Sequence, residues 1–199
     1  MFRVGLTGGI ASGKSTISKL FQEFGIDVID TDTISHNLME PGQTAYLESI
    51  KHFGEQIVNP DQTLNRHLLR EIVFNQPQQK IWLEQMLHPL IKQQAETALK
   101  KATSEYALLV VPLMYESGFD SLVDYIIAID CPNSIQKKRL VGRDHISEQL
   151  AEQMIRGQMP NDVRCSRADI ALDNRENGDL KSKVQEIHQS LLRMAKRYR

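Results

Sequence analysis

The sequence predicts an α/β fold with a parallel five-stranded sheet, and three observations carry that prediction. A glycine-rich stretch, Gly8-Gly9-Ile10-Ala11-Ser12-Gly13-Lys14-Ser15, stands between a short apolar run and an amphipathic helical stripe. Four more short apolar runs follow, at Ile26 to Ile29, Tyr106 to Val111, Tyr125 to Asp130 and Ile170 to Leu172. The long block from Pro41 to about Lys101, between the first and second of these runs, shows helical spacing only.

The first strand is Phe2 to Leu6, where Phe2, Val4 and Leu6 make a run long enough to be buried. Ile17, Leu20, Phe21 and Phe24 then recur at i, i+3, i+4 and i+7, one face of a helix that Gly25 ends. The stretch between matches G-x-x-x-x-G-K-[ST], and strand, loop and helix come in the order that motif needs. A polyphosphate is a cluster of negative charge that backbone has to approach closely, and glycines permit the approach. The N–H groups of Gly9, Ile10, Ala11, Ser12, Gly13, Lys14 and Ser15 can point inward, with Thr16 in the turn behind them and the partial positive charge of the helix start added. Lys14 can reach the β- and γ-phosphates, and the Ser15 hydroxyl is placed to ligate Mg²⁺.

The second strand, Ile26 to Ile29, runs directly into Asp30-Thr31-Asp32. Ligands of parallel sheets sit beyond the carboxyl ends of the strands, so these acids are expected to face the phosphate loop. One aspartate is expected to serve only cap or turn chemistry, and Asp32 is chosen as the functional one. His36 shares its face if a helix starts near Thr33, and stands either as a solvated residue or as a substrate contact.

In the helical block, Tyr46, Ile50 and Phe53 make one stripe, Leu68, Leu69, Ile72 and Val73 a second, and Ile81, Trp82, Met86 and Leu90 more. Pro41-Gly42, Gly54, Asn59-Pro60-Asp61 and Asn75-Gln76-Pro77 punctuate them. So long an insertion is expected to form its own subdomain, residues 33–104, for substrate recognition. Arg66 and Arg70 lie one turn apart, as a solvated face or an anion site. Pro89 is expected to interrupt the helix at His88. Arg66 and His88 join His36 as candidate substrate contacts.

Tyr106 to Val111 reads as a central strand buried on both faces, ending in Pro112-Leu113-Met114-Tyr115-Glu116. Tyr125 to Asp130, closed by Cys131-Pro132, is the fourth strand and Ile170 to Leu172 the fifth. A last helix carries Leu180, Val184, Ile187 and Leu191 back onto the sheet. The core is therefore expected in 1–32, 105–135 and 167–199. The remaining segment, 136–166, is expected to be a helical lid. There and just beyond it, seven basic residues (Lys137, Lys138, Arg139, Arg143, Arg156, Arg164, Arg167) stand against four acids (Asp144, Glu148, Glu152, Asp162). Arginines of a mobile segment can close over a nucleotide and neutralise the transferring phosphoryl group. Arg139 and Arg143, one turn apart, are the pair that one helix could aim at the phosphates, while Lys137 and Lys138 fit a solvated face.

Whole-chain figures restrict the function classes. With 199 residues, 41% of them apolar and 25% charged, the chain has the composition of a globular protein with a sizeable core. A net charge of -1 gives no overall basic surface for nucleic acid or membrane, so any anion site is local. The longest apolar run, Ala107 to Met114, is too short to span a bilayer, and the first strand starts at once, so a cytoplasmic location is expected. Cys131 and Cys165 are too few for a disulfide framework or a zinc site by themselves.

The loop alone leaves GTPases, ATP-driven motors and small-molecule kinases open. Neither Asn-Lys-x-Asp nor Asp-x-x-Gly, the strings of a GTPase, occurs. Val110-Val111-Pro112 lacks the acid with which a motor would hold Mg²⁺. A small kinase needs a loop, an acceptor base, a substrate block and an arginine lid, and all four have candidates. The α/β prediction thereby takes the form of a three-layer P-loop kinase fold.

On these residues the chain resembles the bacterial dephospho-coenzyme A kinases, nearly end to end. The likeness runs through LTGGIASGKST at Leu6 to Thr16, VIDTD at Val28 to Asp32, EPG at Glu40 to Gly42 and HFG at His52 to Gly54. It continues in LHPLI at Leu87 to Ile91, VVPLMYES at Val110 to Ser117, KRL at Lys138 to Leu140, Arg143-Asp144, Ala168-Asp169 and Asp173-Asn174. The resemblance implies transfer of the γ-phosphoryl of ATP, with Mg²⁺, to the ribose 3′-hydroxyl of dephospho-coenzyme A, the last step of coenzyme A synthesis. It implies a doubly wound core, a helical coenzyme-A-binding subdomain and a lid, in a monomer or small homo-oligomer. Another P-loop small-molecule kinase, for a nucleoside or nucleotide, or a nucleotide-binding module without catalysis, are the alternatives.

Two features depart from the family pattern. Val111 stands where many members have an acid before the proline, so outer ligation of Mg²⁺ falls to another acid or to water. Arg175, Glu176 and Asn177 separate Asn174 from Gly178 where the family often has Asn-x-Gly, which leaves an adenine-edge role for Asn174 open. In the expected mechanism Asp32 positions and deprotonates the acceptor hydroxyl, while Lys14, Arg139 and Arg143 offset charge on the transferring group.

Overall fold

The computed structural model describes residues 1–175 and 179–198. Glu176, Asn177 and Gly178, part of the second departure above, lie outside the described residues. Residues 1–30 and 98–199 form one compact unit and residues 31–97 a second.

In the first unit, β1 (Phe2–Thr7), β2 (Asp27–Asp30), β3 (Tyr106–Val110), β4 (Tyr125–Asp130) and β5 (Ile170–Asp173) pair in parallel in the order β2-β3-β1-β4-β5. Val4 lies beside Leu108 on one side and Tyr125 on the other. The chain builds outward from β1 first to one side and later to the other, so the strand order reverses at β1, where ligands of such sheets bind. All five residues of β3 are buried, as its unbroken apolar run requires of a strand covered on both faces.

Pleating sends Phe2, Val4 and Leu6 of β1 and Ile127 and Ile129 of β4 into one core cluster with Ile17, Phe21, Val184, Ile187 and Leu191. The last five come from α1 (Lys14–Glu23) and α9 (Leu180–Ala195), which pack on each other and on β3. The opposite face of β4 carries Ala128 and Asp130 and meets α8 (Asn161–Arg167), where Asn161 Nδ2 donates to Asp130 Oδ1 at 2.7 Å. Two further helices, α6 (Asn133–Asp144) and α7 (Glu148–Arg156), precede α8 and pack together. Cys131 is buried and Cys165 half-buried, both as thiols.

The second unit holds α2 (Thr31–Leu38), α3 (Thr44–Phe53), α4 (Arg66–Asn75) and most of α5 (Pro77–Lys101). Met39, Ala45, Tyr46, Phe53, Ile57, Leu64 and Leu69 are its buried centre, and the His52 ring stacks on Trp82 with centroids 3.6 Å apart. Two expectations are corrected here. Helix α2 starts at Thr31, directly after the strand and earlier than Thr33, so Asp32 sits in its first turn. Helix α5 runs straight through His88-Pro89. Proline in a helix interior costs about 3 kcal/mol. Ile91, Ala95 and Leu99 beyond it are buried one above another, and full burial of a single large aliphatic side chain contributes about 1.5–3 kcal/mol, so packing outweighs the break. Among the described residues, no helix is long and apolar enough to cross a membrane.

Beneath α9, His188 Nδ1 lies 2.8 Å from the Tyr106 hydroxyl, and its ring stacks on Phe24. Burial pulls the His188 pKa below the ordinary histidine value, because charging the ring there loses hydration. A ring held neutral in the folded chain takes its proton first in the unfolded chain. Stability is therefore fully present above about pH 6.5 and falls below it until the folded ring itself protonates. The Tm of the wild type is expected to drop more steeply between about pH 7 and pH 5 than that of His188→Gln, as read by calorimetry. Equal slopes would remove His188 from the acid response.

Candidate active site

The phosphate loop joins the end of β1 to the start of α1, at the point where the strand order reverses. Gly13, just before the helix, has φ 100°, and a Cβ there would strike the Asn174 amide, so only glycine fits. Ala11 is also left-handed, at φ 56°, a conformation a residue with a Cβ adopts at a cost of about 1 kcal/mol or more. The first turn of α1 contains no acid, so the positive end of its dipole remains available to an incoming anion.

Side chains from distant parts of the first unit fix the loop. Asn174, buried just past β5, donates from Nδ2 to Ser12 O at 2.6 Å. Arg139 of α6 spreads its fork over the same limb, with Nη1 3.5 Å from Ser12 O and Nη2 donating to Asn174 O at 3.3 Å. Gln136 is buried, donates to Cys131 O at 2.6 Å, and lies where any Cβ on Gly9 would come within 2.5 Å of its Oε1. Gln158 Oε1 accepts from Ile10 N at 2.8 Å. Lys14 Nζ folds back over the loop and donates to Gly8 O at 2.7 Å and Gly9 O at 3.0 Å. Ser15 and Thr16 are exposed in the first turn of α1.

The predicted residues divide between the two units. Gly9 to Thr16 and Arg139 come together in the first. Arg143, on the same helix as Arg139, turns to Asp144 instead, with Nε and Nη2 donating at 2.6 and 2.8 Å, and the carboxylate holds its pKa above the usual arginine value. Asp30 ends β2 at the carboxyl edge of the sheet, half-buried. In the second unit Asp32 is exposed at the start of α2. His36 Nδ1 lies 3.3 Å from Glu40 Oε1, to which Arg66 Nη2 donates at 3.1 Å; the same nitrogen donates to His36 O at 3.2 Å. His88 is half-buried along α5, away from any helix end.

Among the described residues, no group of three or more His, Cys, Asp or Glu could cage a metal ion. The donor set nonetheless fits Mg²⁺, which keeps most of its waters and takes one or two protein oxygens together with substrate phosphates. The exposed Ser15 hydroxyl at the helix start is such an oxygen. Sequence reasoning missed Gln136 and Gln158, and missed that Asn174 holds the loop. The Asp-Asn pair after the last strand was the one local signal, and the glutamines had none.

A phosphate loop at the reversal of a five-stranded parallel sheet, with a helical unit inserted after β2, defines a P-loop kinase fold. A Thermus thermophilus protein of known crystal structure superposes with a TM-score of 0.81 at 25% identity, covering 97% of each chain. A dephospho-CoA kinase from Campylobacter jejuni does so at 0.69 and 25%, covering 96% of this chain and 97% of its own. A curated dephospho-CoA kinase from Vibrio parahaemolyticus is 41% identical over 196 residues, 98% of this chain and 96% of that protein. The family model for dephospho-CoA kinase matches residues 2–179, and the chain belongs to that family.

The clamp on Ser12 yields a first test of the loop. Asn174→Ala removes the short hydrogen bond to the buried Ser12 carbonyl and leaves it only the 3.5 Å contact of Arg139, a loss of about 1–3 kcal/mol. Nucleotide titration should show Kd raised by about 5- to 150-fold if that loss falls on the loop. Wild-type affinity would mean that Arg139 alone holds this limb.

Proposed function

We propose that the protein transfers the γ-phosphoryl group of ATP to the ribose 3′-hydroxyl of dephospho-coenzyme A, giving coenzyme A and ADP. The observation that carries this reading is a pre-formed phosphate cradle in a chain that follows the dephospho-CoA kinase family over nearly its whole length. Lys14 leaves the Gly8 and Gly9 carbonyls for the incoming phosphates, exchanging neutral acceptors for anionic ones that add charge–charge attraction. Ser15 would hold Mg²⁺ jointly with phosphate oxygens, and the ion would offset charge on the β- and γ-oxygens.

Arg139, already on the loop, steadies it and offers its guanidinium to the nucleotide. Arg143 joins by leaving Asp144 as the end of α6 and α7, within the proposed lid 136–166, close over the nucleotide, while Arg139 and the α7–α8 joint stay on the loop. Asp32 positions the acceptor hydroxyl and receives its proton. Its place two residues past the strand, within Val28-Ile29-Asp30-Thr31-Asp32, supports this role. In a loose phosphoryl transition state positioning counts for more than nucleophile activation, and a carboxylate at this place supplies the positioning. The inserted helices take the coenzyme A moiety, with His36, Arg66 and His88 as its proposed contacts, in a cytoplasmic enzyme.

The test is purified protein with MgATP and a panel of dephospho-coenzyme A, adenosine, shikimate and nucleoside monophosphates. Coenzyme A should form, and phosphorylation of another acceptor in its place would overturn the reading. Lys14→Ala is expected to lower kcat by about 10²-fold or more with the fold intact, the scale for losing a transition-state charge contact. Asp32→Asn should cost about 10²-fold in kcat with nucleotide titration nearly unchanged, and Asp30→Asn much less. The reverse ranking of the two aspartates would assign the base to Asp30.

A further inference from the structure

We infer that Gln158 is a positioning residue for phosphoryl transfer, which holds the Ile10 N–H and ties the joint between α7 and α8 to the phosphate loop. The inference rests on the kinase reading above.

The loop is held by side chains on both limbs, but the two attachments differ in kind. Asn174 and Arg139 occupy the Ser12 carbonyl and leave the backbone donors open. Gln158 occupies a backbone donor, the Ile10 N–H. Ser12 N closes the tip of the loop on Gly9 O at 3.2 Å, and Ala11 is left-handed, so this turn leaves Ile10 N outside any helix or strand ladder. A partly buried N–H that the backbone cannot satisfy needs a partner from elsewhere. Gln158 supplies it from a position nearly the whole core unit away in sequence.

The joint that carries Gln158 is itself fastened at each residue. Gln158 N donates to Ile155 O at 3.2 Å, closing α7. Met159 N donates to Glu116 Oε1 at 3.2 Å, and Met159 O accepts from Arg164 Nη2 at 2.7 Å. Arg164 is 1% exposed, and this bond spends a fully buried guanidinium on a single joint carbonyl. Pro160 then starts α8 with φ −53°. An amide on so rigid a base loses little entropy when it grips the loop.

Between loop and joint lies a cavity of about 190 Å³ lined by Gly9, Gln136, Gln158, Asn161 and Arg164 among others. Among the described residues, Asn161 Oδ1 and Arg164 Nε have no hydrogen-bond partner, so the mixed walls of the cavity offer unpaired polar atoms to water. Without the Gln158 oxygen, the Gly8 to Ala11 limb would border solvated space and be free to shift. That limb carries the carbonyls holding Lys14. A shift of about 1 Å at such a point can cost about 10²-fold in rate without abolishing binding. Gln158 therefore acts through the loop and not on the substrate.

The test compares Gln158→Met, which keeps length but lacks a strong acceptor, with Gln158→Glu, which keeps the oxygen and adds charge. For Met, kcat is expected to fall about tenfold or more while KM for MgATP moves less than about threefold. Amide hydrogen exchange across Gly5 to Ala11 should speed up both without ligand and with ADP. Glu should restore the exchange protection but raise KM through repulsion of the phosphates. If Met does not fold, Gln158→Asn, whose amide is too short to reach Ile10, takes its place with the same expectations. Wild-type exchange and kcat in Gln158→Met, or in Gln158→Asn where that replaces it, would overturn the inference, as would a lower Tm with kcat per folded molecule unchanged. Should the wild type phosphorylate no acceptor, the kinase reading fails by that result, while the exchange measurements with ADP still decide whether Gln158 holds the loop.

Discussion

A polyanion has to be met by backbone N–H groups at hydrogen-bonding distance, with no side chain between, and the organisation of the first unit follows from that constraint. The left-handed turn at Gly13 brings the chain from strand to helix within one step. That turn leaves no room for a Cβ because Asn174 fills the space a side chain would take. The sheet order supplies an opening at β1, and the absence of acid from the start of α1 leaves the helix dipole uncompensated for the ligand. Partners from α6, from the end of β5 and from the α7–α8 joint then hold the loop in a shape it could not keep alone. Interactions worth about 1 kcal/mol each, spread over three elements, replace the rigidity that bulky side chains would otherwise give.

The strands and the loop were legible because their signals are local. Val4 and Leu6 alternate, Tyr106 to Val110 is continuous, and the glycine spacing is fixed by the ligand rather than by the rest of the fold. Pro89 misled because a local rule, that proline ends helices, competes with burial of Ile91, Ala95 and Leu99, which the residue before a proline does not reveal. The start of α2 at Thr31 was read slightly late, since Asp30 and Thr31 look equally like a turn. Arg139 and Arg143 share a helix face as their spacing requires, yet a neighbouring carboxylate captures one and the loop the other. Gln136 and Gln158 were illegible in principle. A lone side-chain amide has no periodicity, and its partner can be settled only by the tertiary fold.

The second unit shows the same contrast in a helical setting. Its apolar stripes were visible, and Tyr46, Phe53 and Leu69 occupy its buried centre. The polar cluster of His36, Glu40 and Arg66 was visible only in part, because Arg66 had been paired by spacing with Arg70 and instead joins α4 to α2 through the shared carboxylate. Charged side chains that project from separate helices cannot be matched by counting residues along one of them. Their exposure also means that the ion pairs contribute little to stability and remain available to exchange partners.

The strand that carries the loop is made well before either strand that pairs with it. β1 pairs only with β3 and β4, and the loop is then fastened by residues as distant as Asn174. On a ribosome the N-terminal segment therefore emerges as an unpaired apolar strand followed by an unformed loop. It stays that way through synthesis of the whole helical insertion. Nucleotide affinity cannot appear gradually as the chain lengthens; it arrives only when β5 docks and the last fastening closes. Until then Phe2, Val4 and Leu6 must be shielded by something other than their own sheet.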